Sequence, residues 1–270
     1  MKLVFTNVNP HRKFNKEKSV LIKLQLDNCF EMGWKPEDII LVTNFDYEYK
    51  GVRSTVVGDE NYCGIDDRRY AFKVSTHILT ISYLFTQNFF QDNELYWYHD
   101  IDAYQQEIIT EDELGLESVD LGLTDYGWNT KWNLGCFWFK KSAGDVITLL
   151  RDTIVGEKIP DERAMRMLVN EGRIDKKRYK KLNITYNFGM RHIDTMWEMA
   201  DKPLKIVHFH PCYFDKDIPD TTMNMFRYGK NPTGKPLMND RLIALFDKYY
   251  PYPFGTSCSY DQFLDHISYD

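Results

Sequence analysis

The stretch ELYWYHDIDA, Glu94 to Ala103, decides the fold. Its first half is a short apolar and aromatic run, the pattern of a strand covered on both faces, as central strands of parallel sheets are. The run stops at Asp100-Ile101-Asp102. Residues two apart on an extended backbone point the same way, so both carboxylates can face one ligand. Two carboxylates on one face call for a cation. Hard oxygen donors suit Mg²⁺ or Mn²⁺, whose open positions the phosphate oxygens of a nucleotide can fill. A merely solvated strand end would carry the same three residues.

Upstream, Leu3 to Phe5 reads as a strand ending at Thr6-Asn7, and Ser19 to Met32 carries Ile22, Leu26, Cys29 and Phe30 at helical spacing before Gly33 caps it. Asp38 to Thr43 is a second short apolar strand. Val74, Ile78, Ile81 and Phe85 then place a helix over roughly Arg68 to Phe89. Strands alternating with helices predict an α/β fold with a doubly wound, mostly parallel sheet, whose ligands sit beyond the carboxyl ends of its strands. Downstream, Leu134 to Phe139 and Leu204 to Phe209 read as strands, and Ala143 to Thr153, Glu162 to Asn170 and Arg241 to Tyr249 as helices. The chain beyond Pro211 is rich in turns. One domain is expected, with a catalytic part over 1–216 and an extension over 217–270 packed on it.

The chain of 270 residues has 34 Lys+Arg against 40 Asp+Glu, a formal net charge of −6, and no global field that would draw nucleic acid or anionic lipid. No apolar run is long enough for a transmembrane span or signal peptide, so a cytoplasmic location is expected. Cys29, Cys63, Cys136, Cys212 and Cys258 are odd in number and lack any C-x-x-C, which argues for reduced thiols. The 15% aromatic share suits either a Tyr-rich core or a surface that stacks on a sugar or base. The run Arg173 to Lys181, RIDKKRYKK, reads as a solvated helix face, or else as a local site for an anionic acceptor.

A second constellation supports the first. His208-Phe209-His210 follows the strand Lys205-Ile206-Val207, so that His208 and His210 can reach one sheet edge. An imidazole added to two carboxylates moves the preference from Mg²⁺ toward Mn²⁺.

With these motifs in order, the chain resembles the metal-dependent glycosyltransferases of the GT-A fold, most like family eight, which includes glycogenin and bacterial lipopolysaccharide galactosyltransferases. The resemblance spans residues 1 to about 216. The start ending in Thr6-Asn7, and Lys73 in the helix before the D-x-D, are similar to the family's nucleotide and phosphate contacts. YHDIDAY resembles its D-x-D strand, implying Asp100 and Asp102 on Mn²⁺ and diphosphate. YGWNTKWNLGCFWFK implies Asn133 and Gly135 beside the donor sugar. PDERAM, Pro160 to Met165, resembles its Asp-Gln helix start, LNITYN its L-P-x-x-Y-N, and IVHFH its closing motif, which implies His208 as third metal ligand. This chain has Glu162 where the family has Gln, Arg166 for Asn, Asn183 for Pro and Pro211 for Gly. Phe214 replaces the family's lysine, so a phosphate-binding cation would come from Lys216, Lys230 or Lys235.

The expected activity is transfer of a sugar from a nucleotide diphosphate sugar, by resemblance a UDP-sugar, to a hydroxyl of a glycan, protein, lipid intermediate or nucleic acid. Asp161-Glu162 opens a helix, where acidic groups serve as caps. A carboxylate there can also accept the acceptor hydroxyl's proton or hold the donor sugar's hydroxyls. The competing readings are a non-catalytic carbohydrate- or nucleotide-sugar-binding protein and a D-x-D phosphatase. The latter's motif closes the first strand, whereas this one closes a later strand.

Overall fold

The computed structural model describes residues 1–8, 16–58, 76–125, 132–189, 193–208 and 231–249. The chain divides into two compact units. The first is Met1–Lys13, Pro36–Asp100 and Ile109–Asn183, and the second is Phe14–Lys35, Ile101–Ile108 and Ile184–Asp270.

The first unit is built on seven strands in the order β10-β8-β9-β6-β1-β2-β5. These are β1 (Lys2–Asn7), β2 (Ile39–Thr43), β5 (Thr55–Val56), β6 (Leu95–His99), β8 (Leu121–Asp125), β9 (Trp132–Lys140) and β10 (Tyr179–Lys181). A small antiparallel pair, β3 (Glu48–Tyr49) and β4 (Val52–Arg53), completes it. Pairings β1/β2, β1/β6, β2/β5 and β8/β10 are parallel. The strand read at Leu134 to Phe139 is the nine-residue β9, which runs antiparallel between β6 and β8 and gives the sheet its mixed character. Periodicity marks a buried strand but not its direction.

All five residues of β6 are buried, and Trp97 stacks on Trp138 of β9 with ring centroids 5.4 Å apart. The helix Thr76–Thr86 turns Ile78, Ile81 and Leu84 into the core, with Val146, Ile147 and Leu150 of the helix Gly144–Glu157. At the amino end of β6, Phe90 packs edge-on to Tyr96 at 4.7 Å and Phe139 at 5.0 Å and is tilted against Phe85 at 4.6 Å. Much of the aromatic surplus is therefore core.

The basic run at Arg173 to Lys181 is not a helix face. A single 3-10 turn, Lys176–Arg178, leads into edge strand β10; the cations are solvated for the most part, and three of them also reach neighbouring segments. Arg178 bonds both carboxylate oxygens of Asp145 at 2.7 and 3.0 Å, Asp120, and the Ser142 carbonyl. Lys180 Nζ donates to the carbonyls of Leu114 and Gly115, and Lys181 Nζ pairs with buried Asp125 at 2.5 Å. A charge run has no period that tells a helix from an edge strand, and here the carbonyls and carboxylates of neighbouring segments decided it.

The second unit holds a three-stranded sheet, β11-β12-β7, of β7 (Ala103–Gln105), β11 (Phe188–Gly189) and β12 (Ile206–His208). Around it pack the helices Lys16–Glu31 and Asp240–Tyr249, which share Leu24, Leu242, Leu245 and Phe246 in one apolar cluster. Buried Asp27 accepts from Lys248 Nζ at 2.8 Å and Tyr249 Oη at 2.7 Å, fastening the last helix. Cys29 and Cys136 are buried free thiols whose pKa values burial pushes up, so both stay protonated. Cys63, Cys212 and Cys258 lie outside the described residues. Among the described residues no helix is long and apolar enough to cross a membrane.

Phe90→Ala empties the centre of the aromatic cluster. It should cost about 3–5 kcal/mol, seen as a lowered urea midpoint in Trp fluorescence.

Candidate metal centre

Asp100 follows the last residue of β6, and its backbone is held on both sides. Its N–H donates to the Gly135 carbonyl at 2.7 Å, and its carbonyl accepts from His99 Nδ1 at 3.0 Å. A carbonyl can only accept, so His99 carries its proton on Nδ1. Gly135 is steadied in turn, because its N–H donates to Asn133 Oδ1 at 3.0 Å. The Asp100 carboxylate receives the Tyr98 hydroxyl at 2.5 Å on Oδ1. Tyr98 and Asp100 lie two apart, on the same side of the strand.

Asp102 and His208 meet through register. Strand β7 begins one residue after Asp102 and pairs antiparallel with β12, which sets His208 opposite Ala103. The His208 imidazole thereby lies beside Asp102, with Nε2 3.3 Å from Oδ1. On its far side Nδ1 sits 3.0 Å from Asn187 Oδ1. An amide oxygen only accepts, so Nδ1 bears the hydrogen and Nε2 turns its lone pair toward the carboxylate. Two lone-pair atoms at that range repel unless a proton or a cation lies between them.

Asp100, Asp102 and His208 each offer one ligand atom, all within 4.8 Å of one another. Two carboxylate oxygens and one imidazole nitrogen, with Asn187 fixing the tautomer, fit a divalent ion of the Mn²⁺ or Mg²⁺ kind.

Thr6 and Asn7 end β1, the parallel neighbour of β6. Thr6 Oγ1 lies 3.5 Å from Tyr98 Oη, and Asn7 Nδ2 is buried with no hydrogen-bond partner among the described residues. Such an orphaned donor at the carboxyl edge of the sheet is a place for a ligand acceptor. Asn133 is buried in β9, its side chain given to the Gly135 backbone. Asp161 and Glu162 open the helix Asp161–Asn170, and the cap position before them is Pro160, whose side chain cannot cap it. Asp161 is buried instead, with Oδ2 3.1 Å from His77 Nε2. Lys235 stands exposed on a turn whose backbone is closed by Asn231. Lys73, His210, Lys216 and Lys230 lie outside the described residues.

Four contributors escaped the sequence reading as site residues: Asn187, His99, Tyr98 and His77. Asn187 ends the quoted LNITYN, so the motif marked its neighbourhood without its role. His77 is hidden in the helical stripe it adjoins, one residue before Ile78.

No protein-family model and no curated protein matches the chain. Solved structures do. The galactosyltransferase LgtC in complex with donor and acceptor sugar analogs superposes with a TM-score of 0.55 at 14% identity, over 96% of this chain and 98% of that one. An active-site mutant of LgtC gives 0.51 at 15% identity, over 81% and 92%. The glycosyltransferase GlyE of Streptococcus pneumoniae TIGR4 gives 0.50 at 15% identity, over 95% of this chain and 66% of that one. Identities this low speak for the fold alone, and that fold, a mostly parallel sheet with an Asp-x-Asp closing a central strand, is the GT-A fold of glycosyltransferases.

Proposed function

We propose that the protein is a metal-dependent glycosyltransferase that takes its sugar from a nucleotide diphosphate sugar, by resemblance a UDP-sugar. The observation that carries this reading is the convergence of Asp100, Asp102 and His208 at the carboxyl edge of a GT-A sheet. Transfer breaks a glycosyl phosphate bond and builds negative charge on the departing diphosphate. A divalent ion held by these three residues supplies the opposing charge.

The remaining roles belong to the chain. His99 and Gly135 hold the Asp100 backbone, and Asn187 keeps the lone pair of His208 inward. Thr6 and Asn7 contact the nucleotide, the latter through its unsatisfied amide. Asn133 and Gly135 border the donor sugar, and Lys73, Lys230 or Lys235 meets the phosphates. Asp161, with Glu162 beside it, serves the acceptor hydroxyl as a base or holds the donor sugar's hydroxyls. These roles fall to the catalytic part over 1–216, apart from the two lysines of the extension. The acceptor carries a hydroxyl, and the protein works in the cytoplasm.

Calorimetric titration of UDP, GDP and dTDP with Mn²⁺ should give tight binding of one of them, lost with EDTA and lost in Asp102→Ala at an unchanged unfolding midpoint. Absence of binding to all three refutes the transferase reading in favour of a phosphatase or a sugar-binding protein. Asn187→Ala frees the His208 ring to rotate and should weaken Mn²⁺ binding about 10- to 100-fold, measured by the same calorimetry. Asp161→Ala should cut turnover far more than donor affinity if the carboxylate is a base, and both equally if it grips the donor sugar.

A further inference from the structure

Apart from the Asp-x-Asp group, the first unit contains a second ionisable cluster that crosses three elements. His77, in the helix Thr76–Thr86, brings Nε2 to 3.1 Å from Asp161 Oδ2, with side-chain exposures of 12% and 4%. The imidazole lies flat on the ring of Tyr98, centroids 5.0 Å apart and planes inclined by 6°. Tyr98 in turn donates to Asp100. The row Asp161, His77, Tyr98, Asp100 thus joins the helix-opening carboxylate to the carboxylate that closes β6.

Each member has a physical reason to be there. A carboxylate this buried is costly unless a partner meets it, and His77 is one partner that Asp161 has. Among the described residues, the charged groups that act on His77 are Asp161, Asp100 and Glu162, all acidic. Burial works against an imidazolium, yet the contact with Asp161 and the field of the three carboxylates hold His77 above the ordinary histidine value. His77 Nε2 and Asp161 Oδ2 are close enough for an ion pair but not aligned as a regular hydrogen bond, so the contact is one of charge and proximity, while the imidazole ring stacks on Tyr98.

We propose that His77 is a positioning residue for the transfer reaction: wedged against Tyr98, it holds the Asp161 carboxylate in one orientation for its work on the acceptor hydroxyl or the donor sugar. This inference rests on the reading of Asp161 as the reaction's carboxylate. A buried polar atom opposite a core helix serves stability if it serves only packing. A positioning role predicts a kinetic signature as well.

The test uses the full chain with Mn²⁺ and follows UDP release from UDP-glucose and UDP-galactose. His77→Phe keeps the stack on Tyr98 and removes the nitrogen. It should lower kcat about 10²-fold, the scale of a roughly 1 Å misplacement, with donor KM and UDP affinity changed less than about twofold. His77→Gln, which restores a donor near the position of Nε2, should recover part of the loss. His77→Phe combined with Asp161→Asn should be no slower than Asp161→Asn alone. A wild-type kcat in His77→Phe, or losses that multiply in the double variant, overturns the proposal while leaving the transferase reading intact. Full turnover in Asp161→Asn overturns both the role of Asp161 and the proposal built on it. Histidine NMR needs neither donor nor folded His77 variant: the His77 ring, identified by its contacts to Tyr98, should titrate at lower pH in Asp161→Asn than in the wild type. An unmoved titration shows the pair does not form and also overturns the proposal.

Discussion

Strand β6 tolerates no charge along its length. Its five residues are buried, with Trp138, Phe137 and Phe139 of the paired strand β9 beside them and Tyr96 and Tyr98 in one core with Ile78, Ile81 and Leu84 of the helix Thr76–Thr86. An ionised group inside such a strand would lose its hydration without recompense. The first position at which a carboxylate can stand is where the sheet ends, and Asp100 stands there. Everything else at the site is arranged about that end: the backbone bonds from Gly135 and His99, the hydroxyl of Tyr98, and the turn into β7 that delivers Asp102.

The register of β7 against β12 performs the matching task for the histidine. Because His208 pairs with Ala103, the imidazole and the second aspartate are brought together by backbone hydrogen bonds, with no dependence on a flexible loop. Asn187 reaches the other ring nitrogen from just before β11, the strand beside β12. The chemistry of the site is thus written into strand pairing, which is stiff.

Local signals in the sequence were enough for the parts of this arrangement that depend on short spacing. Asp100 was legible as the residue that closes an apolar run, but the period of two does not carry to Asp102: Ile101-Asp102 form a turn, and Asp102 comes beside His208 through the pairing of β7 with β12. The helices Gly144–Glu157, Asp161–Asn170 and Asp240–Tyr249 were legible because their apolar stripes fix a face. The antiparallel course of β9 was not legible, since a strand buried on both faces looks alike in either direction. The helix expected for the basic run is absent, because Arg178, Lys180 and Lys181 hold the segment to Asp120, Asp145, Asp125 and the carbonyls of Leu114 and Gly115, all distant in sequence, while Arg173, Lys176 and Lys177 are exposed as expected. The contact of His77 with Asp161 spans more than eighty positions between two helices and leaves no mark on either segment.

The hydroxyl of Tyr98 does more than bind a carboxylate. By donating to Oδ1 of Asp100, it commits one lone pair of that oxygen and restrains the swing of the carboxyl group. A side chain that offers no ligand atom of its own thus helps to set the direction in which one of the three ligand atoms is presented.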